Sequence, residues 1–187
     1  DTMLWSGGWP YNFGATICSV DEIAVFDVEL SAVQVASVYN GGVPKDLTTI
    51  GGLSLDHYWQ MGDAAGDEDL ANLIIRDQVG SWNINFPLNT FTAFAIDTPV
   101  WSDFRSMYFD GVDDSISTSG AWPELSASGS GYSVSFWMKS SLTTAADFPF
   151  YISDAAGKFR LFLALTLTTG QIKIYEGNAD TVSMAFS

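Results

Sequence analysis

Val20-Asp-Glu-Ile-Ala-Val-Phe-Asp-Val-Glu-Leu-Ser-Ala-Val-Gln-Val-Ala-Ser-Val-Tyr-Asn40 holds a strand and a short helix back to back. Residues 20–28 are a strand candidate, rich in Val, Ile and Phe. Ser31 is a good helix N-cap, and Gln34 three positions later closes a capping box. Leu30 is placed to staple against Val35. Val33, Val35, Ala36, Val38 and Tyr39 supply an apolar side, and Asn40-Gly41 offers a left-handed C-cap. A helix of one to three turns is therefore expected over residues 31–40.

Outward from this stretch, almost everything reads as short strands. Ser133-Val-Ser-Phe-Trp-Met-Lys139 alternates, with Val134, Phe136 and Met138 on one face. Phe159, Leu161, Leu163, Leu165 and Leu167 form a second period-two face, and a Thr-Thr-Gly turn at 168–170 leads into Ile172-Lys-Ile-Tyr175, so 158–176 reads as a hairpin. Residues 53–61, 105–110, 114–118 and 149–153 are further strand candidates. Glycine-rich and serine-rich punctuation at 6–8, 40–42, 51–52 and 126–131 fits turns between them. The expected class is all-β, a packed β-sandwich with one short helix.

The chain has 187 residues, 47% of them hydrophobic. That is near the size of one domain with room for part of another, and a core of this size needs no disulfide or metal staple. Charge is sparse but one-signed: 22 acids face 7 bases, for a net charge of -15. An acidic disordered chain would not carry 14% aromatics. The bases stand singly along the sequence, so there is no cationic footprint for nucleic acid, and anionic membrane surfaces are disfavoured. No apolar run reaches the length of a membrane span. Cys18 is the sole cysteine and His57 the sole histidine. That excludes an internal disulfide, a thiolate zinc site and a multi-histidine metal site. Asp1 in place of Met, without a leader sequence after it, reads as a piece of a longer protein.

Two blocks resemble the laminin-G-like branch of the concanavalin A-like jelly rolls. Val20 to Asn40 is similar to the family's closing signature, a final "DEvaiF" strand followed by an "LSaeqv…lYN" helix. Met107-Tyr-Phe-Asp-Gly-Val-Asp-Asp-Ser-Ile116, followed by Tyr132-Ser-Val-Ser-Phe-Trp-Met-Lys139, is similar to its opening signature, "l.FDGvdDyi … ftisfWvk". The order is exchanged, with the closing block first. Between them, Leu53-Ser-Leu-Asp-His-Tyr-Trp-Gln-Met-Gly-Asp63 and Arg76-Asp-Gln-Val-Gly80 resemble a "yWrmgD … DqsG" segment of phage and environmental-virus structural proteins. The resemblance divides the chain into closing strands and helix (1–51), a bridging segment or extended arm (52–104) and opening strands (105–187). Either the chain spans a junction between two modules, or its two ends form one permuted sandwich. The second is preferred, because isolated half-sandwiches would expose apolar sheet edges.

The resemblance implies a non-enzymatic virion structural or adhesion module at a particle surface or outside the cell. Its expected partners are neighbouring copies, other virion proteins and glycans, without nucleic acid or membrane insertion. The alternative is a secreted carbohydrate-binding module. Glucanases of this fold place catalytic acids at acid-x-acid spacing, but Ala24 stands where the second acid belongs after Glu22, and Asp27 falls on the opposite face. No G-x-S-x-G elbow accompanies His57, which is expected on the less buried face of its strand.

Two binding chemistries remain. Asp110, Asp113 and Asp114 crowd a turn around Gly111, a density of hard oxygen ligands that suits Ca²⁺, as in some relatives with a calcium site at the sandwich rim. The same residues also suit a tight turn braced by Asp side chains. Asp63, Asp67, Glu68 and Asp69 are expected as a solvated loop, with a metal site as the alternative. Trp9, Tyr11 and Trp122 lie in Gly/Pro-rich turns and are the candidates for stacking on sugar rings. Phe136 and Trp137 are expected in the core, and Cys18 as a small buried hydrophobe.

Overall fold

A computed structural model describes residues 2–6, 17–63, 66–69, 74–85, 106–110, 115–118, 131–140, 146–153, 159–166, 171–176 and 179–185. In chain order these form β1 (Thr2–Ser6), β2 (Ile17–Phe26), α1 (Ala32–Tyr39), β3 (Leu55–Trp59), β4 (Glu68–Asp69), β5 (Ile74–Ile75), β6 (Ile84–Asn85), β7 (Met107–Asp110), β8 (Ser115–Thr118), β9 (Ser133–Ser140), β10 (Ala146–Ser153), β11 (Phe159–Thr166), β12 (Gln171–Glu176) and β13 (Ala179–Ala185). Short 3₁₀ turns cover Asn40–Gly42 and Leu47–Thr49. The all-β expectation with one short helix holds for the described residues. β1, β4, β5, β6 and β13 arise where no strand was expected, and the last of these carries weak alternation.

Among the described residues every strand pairing is antiparallel. The larger sheet runs β13-β12-β11-β10-β1-β8-β6-β5-β4. Its β11–β12 hairpin, with Thr166 opposite Gln171, is the one expected over 158–176. The smaller sheet is built around β2. One edge of β2 takes β9, from Cys18↔Ser140 to Phe26↔Ser133. The other edge is shared: β7 covers Ile17 to Val20, and β3 takes over from Ile23 to Phe26. The strand of the closing block thus lies against two strands of the opening block, β7 and β9. Ser133 adds a polar tie between the blocks, its hydroxyl accepting from Leu30 N–H at 2.9 Å and donating to the Val28 carbonyl at 3.0 Å.

The core follows β2. Val20, Ile23, Ala24, Val25 and Phe26 are buried, together with Tyr58, Trp59 and Met61. Ala24, Phe26, Val38, Leu47 and Tyr58 form one cluster, flanked by Leu30, Ile50, Leu53 and Leu55. Burying aliphatic and aromatic side chains of this size contributes about 1.5–3 kcal/mol each relative to exposure, which makes β2 the chief apolar contributor to this sheet among the described residues.

α1 begins as expected. Ser31 N–H donates to Gln34 Oε1 at 2.9 Å, Gln34 N–H reaches Ser31 Oγ at 3.4 Å, and Asn40 takes the left-handed conformation with φ 47°. Its apolar side is a correction. Val38 is buried, but Val33, Val35 and Tyr39 are 76%, 52% and 57% exposed, so the expected staple onto Val35 is not buried either. Two turns are held here by polar ends, including Gln34 Nε2 donating to the Gly52 carbonyl at 2.9 Å. Such a helix needs little apolar burial to stay in place. Phe136 and Trp137, expected in the core, are half-buried, and Trp137 stacks on Tyr39 with ring centroids 5.9 Å apart. Among the described residues no helix is long and apolar enough to cross a membrane.

Candidate functional site: carboxylates at a split sheet edge

Between Val20, the last partner of β7, and Ile23, the first partner of β3, the edge of β2 changes neighbours. Asp21 and Glu22 occupy that break. On the opposite edge the register with β9 slips between Asp21↔Trp137 and Ala24↔Ser135, leaving one extra residue in β2. Glu22 absorbs it with φ 52°, a left-handed conformation rare for a residue with a Cβ. The bulge redirects a side chain, and both acids are buried, Asp21 at 6% and Glu22 at 3% exposure.

The third acid arrives from β3. After Trp59 the chain turns through Met61 and Gly62, with φ 55° and 110°, and Asp63 N–H donates to the Gln60 carbonyl at 3.3 Å. This turn carries half-buried Asp63 to the split edge. Carboxylate oxygens of Asp21, Glu22 and Asp63 all lie within 4.8 Å of one another. Carboxylates this close cannot all ionise freely; a shared proton or a cation must compensate.

Tyr58 anchors the cluster. Its hydroxyl donates to Glu22 Oε2 and accepts from Leu47 N–H at 3.2 Å. Burial, and then the Glu22 carboxylate, push the phenol far above its ordinary value, so it remains a donor at every physiological pH. Asp21 Oδ1 accepts from Glu22 N–H at 2.9 Å.

The expected solvated loop is a correction. Asp67 is 1% exposed; its side chain accepts from Gly62 N–H at 3.0 Å and its carbonyl from Arg76 N–H at 2.6 Å. Asp69 pairs with Arg76 at 3.1 Å. The loop folds inward because these acids close the turns on either side, and in doing so it delivers Asp63 to the cluster.

A second arrangement surrounds His57. Its ring is buried, not on the less covered face, because Trp82 stacks on it at 4.2 Å and Trp59 at 5.7 Å. His57 Nδ1 lies 2.5 Å from Asp77 Oδ2. An ionised carboxylate only accepts, so Nδ1 carries the proton. Burial opposes ionisation of Asp77, but hydrogen bonds from His57 and from the N–H groups of Gly80, Tyr58 and Val79 outweigh it and hold the pKa below its ordinary 3.8. The pair is fully engaged in bracing the 77–82 loop against β3.

Of the expected binding residues, Asp110 ends β7 in the smaller sheet, while Asp113 and Asp114 lie outside the described residues. Trp9, Tyr11 and Trp122 lie outside them as well, as does the side chain of Cys18. The sequence signalled Asp21-Glu22 and Asp63 separately, as a strand-end pair and a loop; only the split edge of β2 unites them. Comparison with family models, curated proteins and solved structures found no match.

Proposed function

We propose that the chain is a laminin-G-like jelly-roll module serving as a non-enzymatic structural and adhesion unit of a virus or phage particle, at the particle surface or outside the cell. Its partners are neighbouring copies, other particle proteins and host-surface glycans. The supporting observation is the pairing of β2 with both β7 and β9. In a jelly roll the first and last strands are neighbours, so a closing-signature strand zipped to two opening-signature strands is what a permuted single sandwich requires. The engagement of the site groups agrees with binding over turnover. His57 is committed to Asp77, and Glu22 holds Tyr58, whereas Asp27 stands exposed on solvent. In this reading Trp9, Tyr11 and Trp122 contact sugar, and the turn bearing Asp110, Asp113 and Asp114 takes Ca²⁺.

The test combines sedimentation analysis with a glycan array. Concentration-dependent assembly supports the module, and glycan binding by the assembled chain that weakens in Trp9→Ala, Tyr11→Ala and Trp122→Ala supports its sugar contacts. A strictly monomeric chain that binds glycans favours the secreted carbohydrate-binding alternative. Polysaccharide turnover abolished by Glu22→Gln would overturn the non-enzymatic reading.

A further inference from the structure

We propose that Asp21, Glu22 and Asp63, completed by Ser106, bind a hard divalent cation of the Ca²⁺ class at the split edge of β2. Three carboxylates whose oxygens lie within 4.8 Å of one another offer only oxygen donors, which suits a hard cation and not a thiophilic metal. The independent observation is Ser106. It is 4% exposed, and its Oγ has no hydrogen-bond partner among the described residues. Met107 faces Val20 across β2 and β7, so the next step of the same register sets Ser106 beside Asp21. Facing residues of an antiparallel pair project to the same side of the sheet. Because Met107 and Val20 are core residues, Ser106 and Asp21 turn together to the other face, where the carboxylate lies. A buried hydroxyl left without a partner is destabilising, and a cation held by the neighbouring carboxylates gives it one. Ca²⁺ takes roughly six to eight oxygens, and backbone carbonyls and water can fill the remainder.

The site is distinct from the turn at residues 110–114. Ser106 precedes β7 and Asp110 ends it, which separates them by roughly 13 Å along the strand. It also stands apart from the adhesion reading, since a cation here braces the junction of β3, β2 and β7 whatever the module binds.

Tb³⁺ luminescence tests it on the full chain. Trp137 faces Asp21 in the register of β2 and β9, and Trp59 faces Ile23, so tryptophan excitation sensitises a lanthanide held there. The expected result is sensitised emission that excess Ca²⁺ removes. The measurement is made in the background of the triple variant Asp110→Asn, Asp113→Asn, Asp114→Asn, which removes the acids of the other turn; there Asp21→Asn and Asp63→Asn each lower the affinity roughly tenfold or more. Circular dichroism checks each variant. If Asp21→Asn does not fold, Asp63→Asn, half-buried on a turn, decides. No sensitised emission from the folded triple variant overturns the site, as does emission in that background that survives Asp63→Asn unchanged.

Discussion

Asp77 accepts from the backbone N–H groups of Tyr58, Val79, Gly80 and Trp82 and from His57. Its side chain is fully buried, so one carboxylate fastens a loop to β3. Gly80 is required by the same packing: an added Cβ would come within 2.6 Å of both Asp77 Oδ2 and His57 Nδ1. Gly80→Ala is expected to cost about 1–3 kcal/mol, read by urea unfolding; an unchanged midpoint would contradict this packing. The lowered pKa of Asp77 sets the pH dependence. A depressed carboxylate contributes stability that is present above its unfolded value of 3.8 and lost as pH falls toward the folded value. Asp77→Asn therefore destabilises at neutral pH and flattens the acid limb below 3.8. Parallel pH profiles for wild type and variant would contradict this. The Asp77-Gln-Val-Gly80 segment was legible only through the bridging resemblance, and its five donors were not. They come from β3 and from loop residues that share no local pattern.

α1 and β2 mark what local signals carry. The capping box was readable because Ser31 and Gln34 act on each other across one turn. Ser31→Ala is expected to cost about 1 kcal/mol, whereas Val33→Ser, at 76% exposure, should change stability by less than about 0.5 kcal/mol. Equal effects in thermal unfolding would contradict the polar anchoring of this helix. β2 behaves oppositely. Phe26 is fully buried in the cluster with Tyr58 and Val38, and Phe26→Ala should cost about 3–5 kcal/mol. The strand was legible from its apolar run. Its bulge was not, because Glu22 reaches φ 52° only where two different neighbours abandon and take up the same edge. Composition along β2 does not encode that exchange. The carboxylate cluster was hidden for the same reason.

For the whole molecule, the strand content could be read locally, while the order of strands depended on pairings between residues more than a hundred positions apart. Cys18 faces Ser140 across β2 and β9, and that single register joins the first block to the last. Directly paired antiparallel residues have Cα atoms about 4.5–5.5 Å apart, within the range a disulfide spans. With Cys18 the sole cysteine, one substitution at a time reads the register. In dilute solution under mild oxidation, Ser140→Cys should form an intramolecular disulfide with Cys18, identified by peptide mass spectrometry, and Lys139→Cys, one step off register, should not. A disulfide in neither variant, or in Lys139→Cys alone, would contradict the claim that the closing strand and the opening strands form one sheet.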